Sequence, residues 1–234
     1  MPEPDGAAPP PAGPEPERVV GVGPWPAGPD DWPEDPRLDP ELLAHGDRRN
    51  VVDGYRYWRL EAIVADLDTR RTPLHVAIEN LEHDMNIGSI VRTANAFNLA
   101  GVHVIGRRRW NRRGAMVTDR YLHVHHHPDA ETFATWAHQA GLAVVGIDNV
   151  PGSSPIERGT LPHEAVLVFG SEGPGLSADL LARCAQVRHI TQYGSTRSIN
   201  AGAAGAIAMY EWMRQHTGEP AAQSADSAGS EART

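Results

Sequence analysis

Lysine is absent from this 234-residue chain, and all 21 basic residues are arginine. Cysteine occurs once, at Cys184, which excludes an internal disulfide and fits a reducing cytosol. No apolar run approaches the roughly 20 residues of a membrane span, so a transmembrane protein is not expected. The N-terminus is proline-rich and acidic, without the basic and apolar regions of a signal peptide. These absences point to a cytoplasmic protein with no membrane partner.

What remains is unevenly distributed. The net charge of −9 gathers at the ends: residues 1–45 hold ten acids against two arginines, and 216–234 hold three against one. Residues 46–215 carry 18 arginines and 17 acids, a near-neutral core that leaves RNA open as a partner. Arginine suits bidentate phosphate contact and stacking on bases. A GC-rich genome accounts for the arginine bias equally well.

The pattern along the chain predicts four segments. Residues 1–45 hold most of the prolines with little apolar periodicity, and are expected to be a disordered acidic tail. In 46–72, "NVVDGYRYWRLEAIVADL" is spaced like an amphipathic helix, a helical extension. From 73 to 215, short apolar runs ("LHVAIEN", "VHVIG", "AVVGIDN", "AVLVFG", "VRHIT") alternate with helical stretches. Among these, "NIGSIVRTANAFNLAG" reads as helical with Gly101 as its stop. Such alternation predicts an α/β domain with a mostly parallel sheet and helices on both faces. Residues 216–234 read as a second disordered tail.

Three loops combine glycine with polar groups where strands end, the place where open α/β sheets bind ligands. "VFGSEGPGLS" (168–177) offers Gly170, Gly173 and Gly175 for close backbone approach, and the Glu172 carboxylate. It lacks the glycine-lysine-serine ending of a nucleotide-binding loop and the dinucleotide fingerprint, which argues against an oxidoreductase. "HDMNIGSIVRTANAF" (83–97) places Asn86 at a helix start with Arg92 six residues on; singly, these read as an N-cap and a solvated arginine. "HITQYGSTRSIN" (189–200) leads into "AGAAGAIAMYEW", and Ser198 alone reads as the cap of that helix.

Together and in this order, the three stretches resemble the three motifs of the SpoU/TrmH family of SPOUT RNA methyltransferases, over about residues 73 to 215. The resemblance implies a C-terminal trefoil knot, a homodimer, and S-adenosylmethionine as the donor of a methyl group to a ribose 2′-hydroxyl. It places Arg92 at that hydroxyl and its adjoining phosphate, with Asn86, Glu172, Ser198 and Asn200 as the other functional positions. A guanidinium is not readily deprotonated, so orienting the phosphate and stabilising alkoxide charge suit Arg92 better than a literal base role. Backbone around Gly170, Gly173, Ile190, Ser198 and Ile199, with Ile147 of the "GIDN" loop, is implied for the cofactor. Small residues Gly202, Gly205 and Ala208 would let the last helix pack closely.

Two further clusters stand out. "RRRWNRRG" combines Arg107, Arg108, Arg109, Arg112 and Arg113 with Trp110, fit for RNA phosphates and base stacking. "HVHHHP" places His123, His125 and His127 on one strand face, but no carboxylate or cysteine completes a metal pattern, so no metal is expected. The compact form and "IENLEHDMNIGSIVRTANAF" look closer to the family's tRNA members, which modify a D-loop guanosine, than to its ribosomal-RNA members, so the resemblance implies tRNA as the favoured target. A non-catalytic RNA-binding protein on the same fold is the remaining alternative.

Overall fold

A computed structural model describes residues 21–80, 86–171 and 173–218. Residues 1–20 of the tail expected at 1–45, residues 219–234 of the tail expected at 216–234, and Glu172 lie outside the described residues, while His216 belongs to the last helix and Thr217 caps it. The chain divides into two units, one ending at Ile63 and one beginning at Val64.

In the first unit, residues 21–45 are folded, which corrects the expectation of a disordered tail through residue 45. Val22 and Asp47 exchange backbone hydrogen bonds of 2.9 Å each, and Leu38 bridges to Trp58. Helix α1 (Pro40–His45) starts on the Asp39 side chain, which accepts from the Glu41 amide, and Pro40 fills the first helical position, where its missing N–H costs nothing. Asp47 is fully buried and takes the Nε and Nη2 hydrogens of Arg49 at 2.9 and 2.7 Å. Burial raises its pKa, but those donors and the Tyr57 amide outweigh burial and hold it low. Trp25 packs edge-on against Tyr57, with centroids 5.4 Å apart. Among the described residues, Pro29 and Pro40 sit at helix starts, where proline is tolerated.

Helix α2 (Leu60–Asp68) is shorter than the pattern from Asn50 predicts. A 3₁₀ turn over Asp53–Tyr55 and the left-handed Tyr57 (φ 63°) keep the preceding residues out of it.

The second unit is built on β1 (Thr72–Asn80), α3 (Ile87–Ala96), β2 (Leu99–Gly106), β3 (Val124–His127), α4 (Ala130–Gln139), β4 (Ala143–Ile147), β5 (Ser154–Pro155), β6 (Ala165–Phe169), α5 (Ala178–Leu181), β7 (Gln186–His189) and α6 (Ala201–His216). Its seven strands form one sheet in the order β3-β2-β1-β6-β4-β7-β5, with every pairing parallel. Alternation sends Leu74, Val76 and Ile78 of β1 into one core with Ile90 of α3 and Met209 and Trp212 of α6. Ala77 joins a second core with Phe133 of α4 and Leu180 of α5. Helices thus cover both faces, as a parallel sheet requires.

The helix read through to Gly101 ends at Ala96. Asn98 turns left-handed (φ 50°) and donates its Nδ2 to the carbonyls of Leu67 and Arg70, so the chain reverses there. Gly101 lies inside β2, opposite His75. Among the described residues, no helix is long and apolar enough to cross a membrane.

Candidate active site

The loops that matter all leave the C-terminal edge of the sheet, since β1, β6, β4 and β7 are neighbours and parallel. Asn86 precedes α3 and is 8% exposed, but its side chain caps nothing. Its Oδ1 instead accepts from Asn200 Nδ2 at 2.7 Å. Asn200 is the true N-cap of α6, its Oδ1 accepting from the amides of Gly202 and Ala203 at 2.9 and 3.2 Å. One asparagine therefore starts α6 and also ties it to the start of α3.

The alanine-glycine face of α6 makes that junction possible. A Cβ on Gly202 would stand 3.0 Å from Ser89 Cβ, and one on Gly205 2.9 Å from Ile90 Cγ1. Gly202, Gly205 and Ala208 are all buried. Glycine's unfavourable helix propensity, on the order of 1 kcal/mol, is offset by this close packing.

In the glycine-rich turn, a Cβ on Gly170 would lie 2.0 Å from the Gly175 carbonyl carbon and 2.2 Å from the Leu176 nitrogen. Space at Gly170 is filled by the turn's own backbone. Gly173 has open space around it and a φ of +96°. Arg92 is exposed on α3 and pairs with no described residue. Ser198 and Ile199 are exposed, and Ile190 is half-buried against the main core. Ile147 buries its side chain in that core, which leaves only its backbone at the edge. Within the β7–α6 loop, Gln192 holds a buried Oε1 that has no hydrogen-bond partner among the described residues.

The arginine segment is fastened beside the start of α3. Gly88 approaches it so closely that a Cβ would sit 2.7 Å from Gly114 Cα and the Ala115 nitrogen. Asn80, the last residue of β1, donates its Nδ2 to the carbonyls of Arg107 and Arg109 at 2.6 and 3.1 Å. Arg107, Arg108, Arg109, Arg112 and Arg113 are exposed. Trp110 is not a free stacking platform: it is half-buried against the core, with the Arg112 guanidinium 5.6 Å from its ring centre.

The histidines also resolve differently from their pattern. His75 Nδ1 lies 3.0 Å from His103 Nε2, and His103 Nδ1 lies 2.9 Å from His127 Nε2. His125 stacks on His103, whose ring Trp136 also covers, while His123 bonds Asp68. Among the described residues no group of side chains is placed to hold a metal. The sequence pattern shows only the histidines of one strand, whereas the ladder crosses three, so His75 and His103 carry no local signal.

A profile described as the SpoU rRNA Methylase family matches residues 73–210, more than half of the chain and all three motif regions. The chain belongs to the SpoU rRNA methylase family. Within it, an uncharacterized tRNA/rRNA methyltransferase of Mycolicibacterium vanbaalenii is 31% identical over 78% of this chain and 61% of its own length. A Borreliella burgdorferi protein named tRNA (guanosine(18)-2′-O)-methyltransferase is 27% identical over 63% of this chain and 69% of its own. The SpoU methyltransferase AviRb of Streptomyces viridochromogenes, solved in complex with AdoMet, superposes with a TM-score of 0.55 at 26% identity, covering 64% of this chain and 63% of that one. The chain spans only 44 to 61% of the length of several curated relatives that it matches.

Proposed function

We propose that this chain transfers a methyl group from S-adenosylmethionine to a ribose 2′-hydroxyl in RNA, with a D-loop guanosine of tRNA as the favoured target. The observation that carries the reading is the hydrogen bond from Asn200 to Asn86. It joins the first and third motifs at one point of the sheet edge, at the base of the helix that carries the exposed Arg92. The name of the Borreliella relative supports tRNA as the substrate class.

The residues present fit such a cofactor. Gly173 and Gly194 leave their surroundings open, so a ligand can approach the backbone there. Gln192 Oε1 is a buried acceptor still lacking a donor, and Ser198 and Ile199 lie exposed before α6. When bound, S-adenosylmethionine would supply an electrophilic sulfonium methyl group for a ribose hydroxyl oxygen that gives up its proton to solvent. Arg92 would clamp the adjoining phosphate and stabilise charge on the attacking oxygen. Asn86 and Asn200 would hold the two helix starts in register, with Glu172 and Ser198 completing the set. Arg107, Arg108, Arg109, Arg112 and Arg113 would hold RNA phosphates beside it.

A homodimer belongs to the same reading, and the exposed Ile207 and Tyr210 on α6 support it. So does the C-terminal knot: β7 inserts between β4 and β5, both earlier in the chain. A single cysteine suits a reducing cytoplasm.

The deciding experiment maps 2′-O-methyl groups in RNA from a strain lacking this gene and adds the purified protein back. Loss and recovery at one tRNA guanosine is the expected result. Loss at a ribosomal ribose would move the substrate to ribosomal RNA. With no lost mark and no cofactor binding at millimolar concentration, the protein is a non-catalytic RNA binder and the enzymatic reading fails.

A further inference from the structure

The glycine-rich turn after β6 is held from both sides by carboxylates that belong to neither it nor the reacting set. Because β6 lies between β1 and β4, the turn leaves the sheet flanked by the ends of two other strands. From one side comes Glu79, the next-to-last residue of β1, only 3% exposed. Its Oε2 accepts from the Ser177 amide at 2.8 Å and its Oε1 from the Ser177 hydroxyl at 2.5 Å. The Glu79 carbonyl accepts from the Ser171 hydroxyl at 2.8 Å, so this one residue grips both ends of the turn.

From the other side comes Asp148, the first residue past β4. Its Oδ2 accepts from the Leu176 amide at 2.8 Å and its Oδ1 from the Asn149 amide at 2.7 Å. Its own backbone amide donates to Arg188 on β7. Gly175 (φ +73°) passes so near that a Cβ there would stand 2.4 Å from Asp148 Oδ2. Two consecutive amides, Leu176 and Ser177, are thus taken by carboxylates arriving from opposite neighbours.

Burying a carboxylate is costly unless its oxygens are well bonded, and a tight turn closes without one. What two charged acceptors add is rigidity, since charge-assisted hydrogen bonds are roughly twice as strong as neutral ones. We infer that Glu79 and Asp148 are positioning residues that set the shape of the glycine-rich turn before its ligand arrives. The inference rests on the reading that this turn holds S-adenosylmethionine. Preorganisation of this kind acts on affinity, because the free protein no longer has to order the loop on binding. Neither residue touches the reacting atoms in that reading, so the rate at saturation is set elsewhere.

The test compares the full chain with E79Q, D148N and S177A. Amide hydrogen exchange without ligand is read at Leu176 and Ser177, and calorimetry then measures S-adenosylmethionine binding. Each variant is expected to exchange about tenfold or more faster at its partner amide, as the loss of a charge-assisted bond predicts. The cofactor dissociation constant should rise by a similar factor, and for E79Q and D148N, which lie outside the turn, kcat at saturating cofactor should stay close to the parent's. Unchanged exchange overturns the inference, and so does a fall in kcat with affinity intact. Should E79Q fail to fold, D148N and S177A decide the matter, since each removes a contact while leaving Glu79 in place. If the parent itself binds no S-adenosylmethionine while exchange still responds to the variants, the cofactor reading falls and the clamp stands.

Discussion

In the proposed reaction Arg92 acts through its charge and planar fork, because a guanidinium keeps its proton. Arg92→Ala should retain fold and cofactor affinity while single-turnover methyl transfer falls by roughly 10²- to 10³-fold. Arg92→Lys keeps the charge but not the bidentate geometry, and should rescue little. Arg108→Ala is the contrast: weaker RNA binding, a shallower salt dependence, and a near-normal rate at saturating RNA. Measuring all three at two salt concentrations decides it, and a normal saturated rate for Arg92→Ala would make Arg92 a binding residue. At this scale the sequence was legible where residue type and place suffice. Asn86 does stand at a helix start, and Gly202 and Gly205 do lie on the close-packed face of α6, but Asn86 caps nothing and Gly101 lies inside β2. Side-chain direction was less legible: Ser198 is exposed and Asn200 does the capping, because the choice between them depends on a partner 114 residues away. Glu79 and Asp148 escaped for the same reason, since a strand-end acid has no local signature until the neighbouring strands are known.

Elements were easiest to read where they are most buried. The apolar runs of β1, β2, β4 and β6 mark strands covered on both faces, and each lies within a few residues of its expected place. Helix limits failed where a single backbone conformation decides, as at Asn98 and Tyr57. Gly88 tests how tightly α3 is docked. Replacing an exposed helical glycine with alanine stabilises by on the order of 1 kcal/mol. Here the added methyl meets the Gly114–Ala115 backbone at 2.7 Å, so Gly88→Ala should lower stability by about 1–3 kcal/mol and weaken RNA binding. Denaturant midpoints and RNA titrations check both. The histidine ladder gives β1, β2 and β3 a pH dependence. Burial, then repulsion from His125, pulls His75 down to about 4 against an opposing effect of Glu164. Burial and the three neighbouring histidines hold His103 near 2. Unfolding frees both rings to titrate near 6.5, so between pH 6.5 and about 4 the unfolded chain binds protons that the folded chain refuses. Stability is therefore full above pH 6.5 and falls as the solution is acidified. His103→Leu should cost about 1–3 kcal/mol at pH 7 through lost hydrogen bonds, yet lose less on going to pH 5. Urea melts at the two pH values provide the comparison.

For the whole molecule, composition does not reveal which part of a proline-rich start folds: Pro29 and Pro40 each open a helical turn within the folded stretch. Val22, Trp25 and Leu38 pair within the chain with Asp47, Tyr57 and Trp58 respectively. Deleting residues 1–45 should therefore unfold what remains of the first unit, making 46–63 the site of rapid protease cleavage, while the sheet unit keeps its own transition. Limited proteolysis with mass spectrometry reads this out, and a protected 46–63 segment would contradict it. The bond between Asn86 and Asn200 also has a meaning for synthesis. Its two ends leave the ribosome 114 residues apart. At about 5–20 residues per second, α3 waits for roughly six to twenty seconds before α6 exists to cover Ser89 and Ile90. For that interval the nascent chain carries an uncovered apolar helix face, so a chaperone that shelters half-made chains has a defined window and a defined surface on which to act.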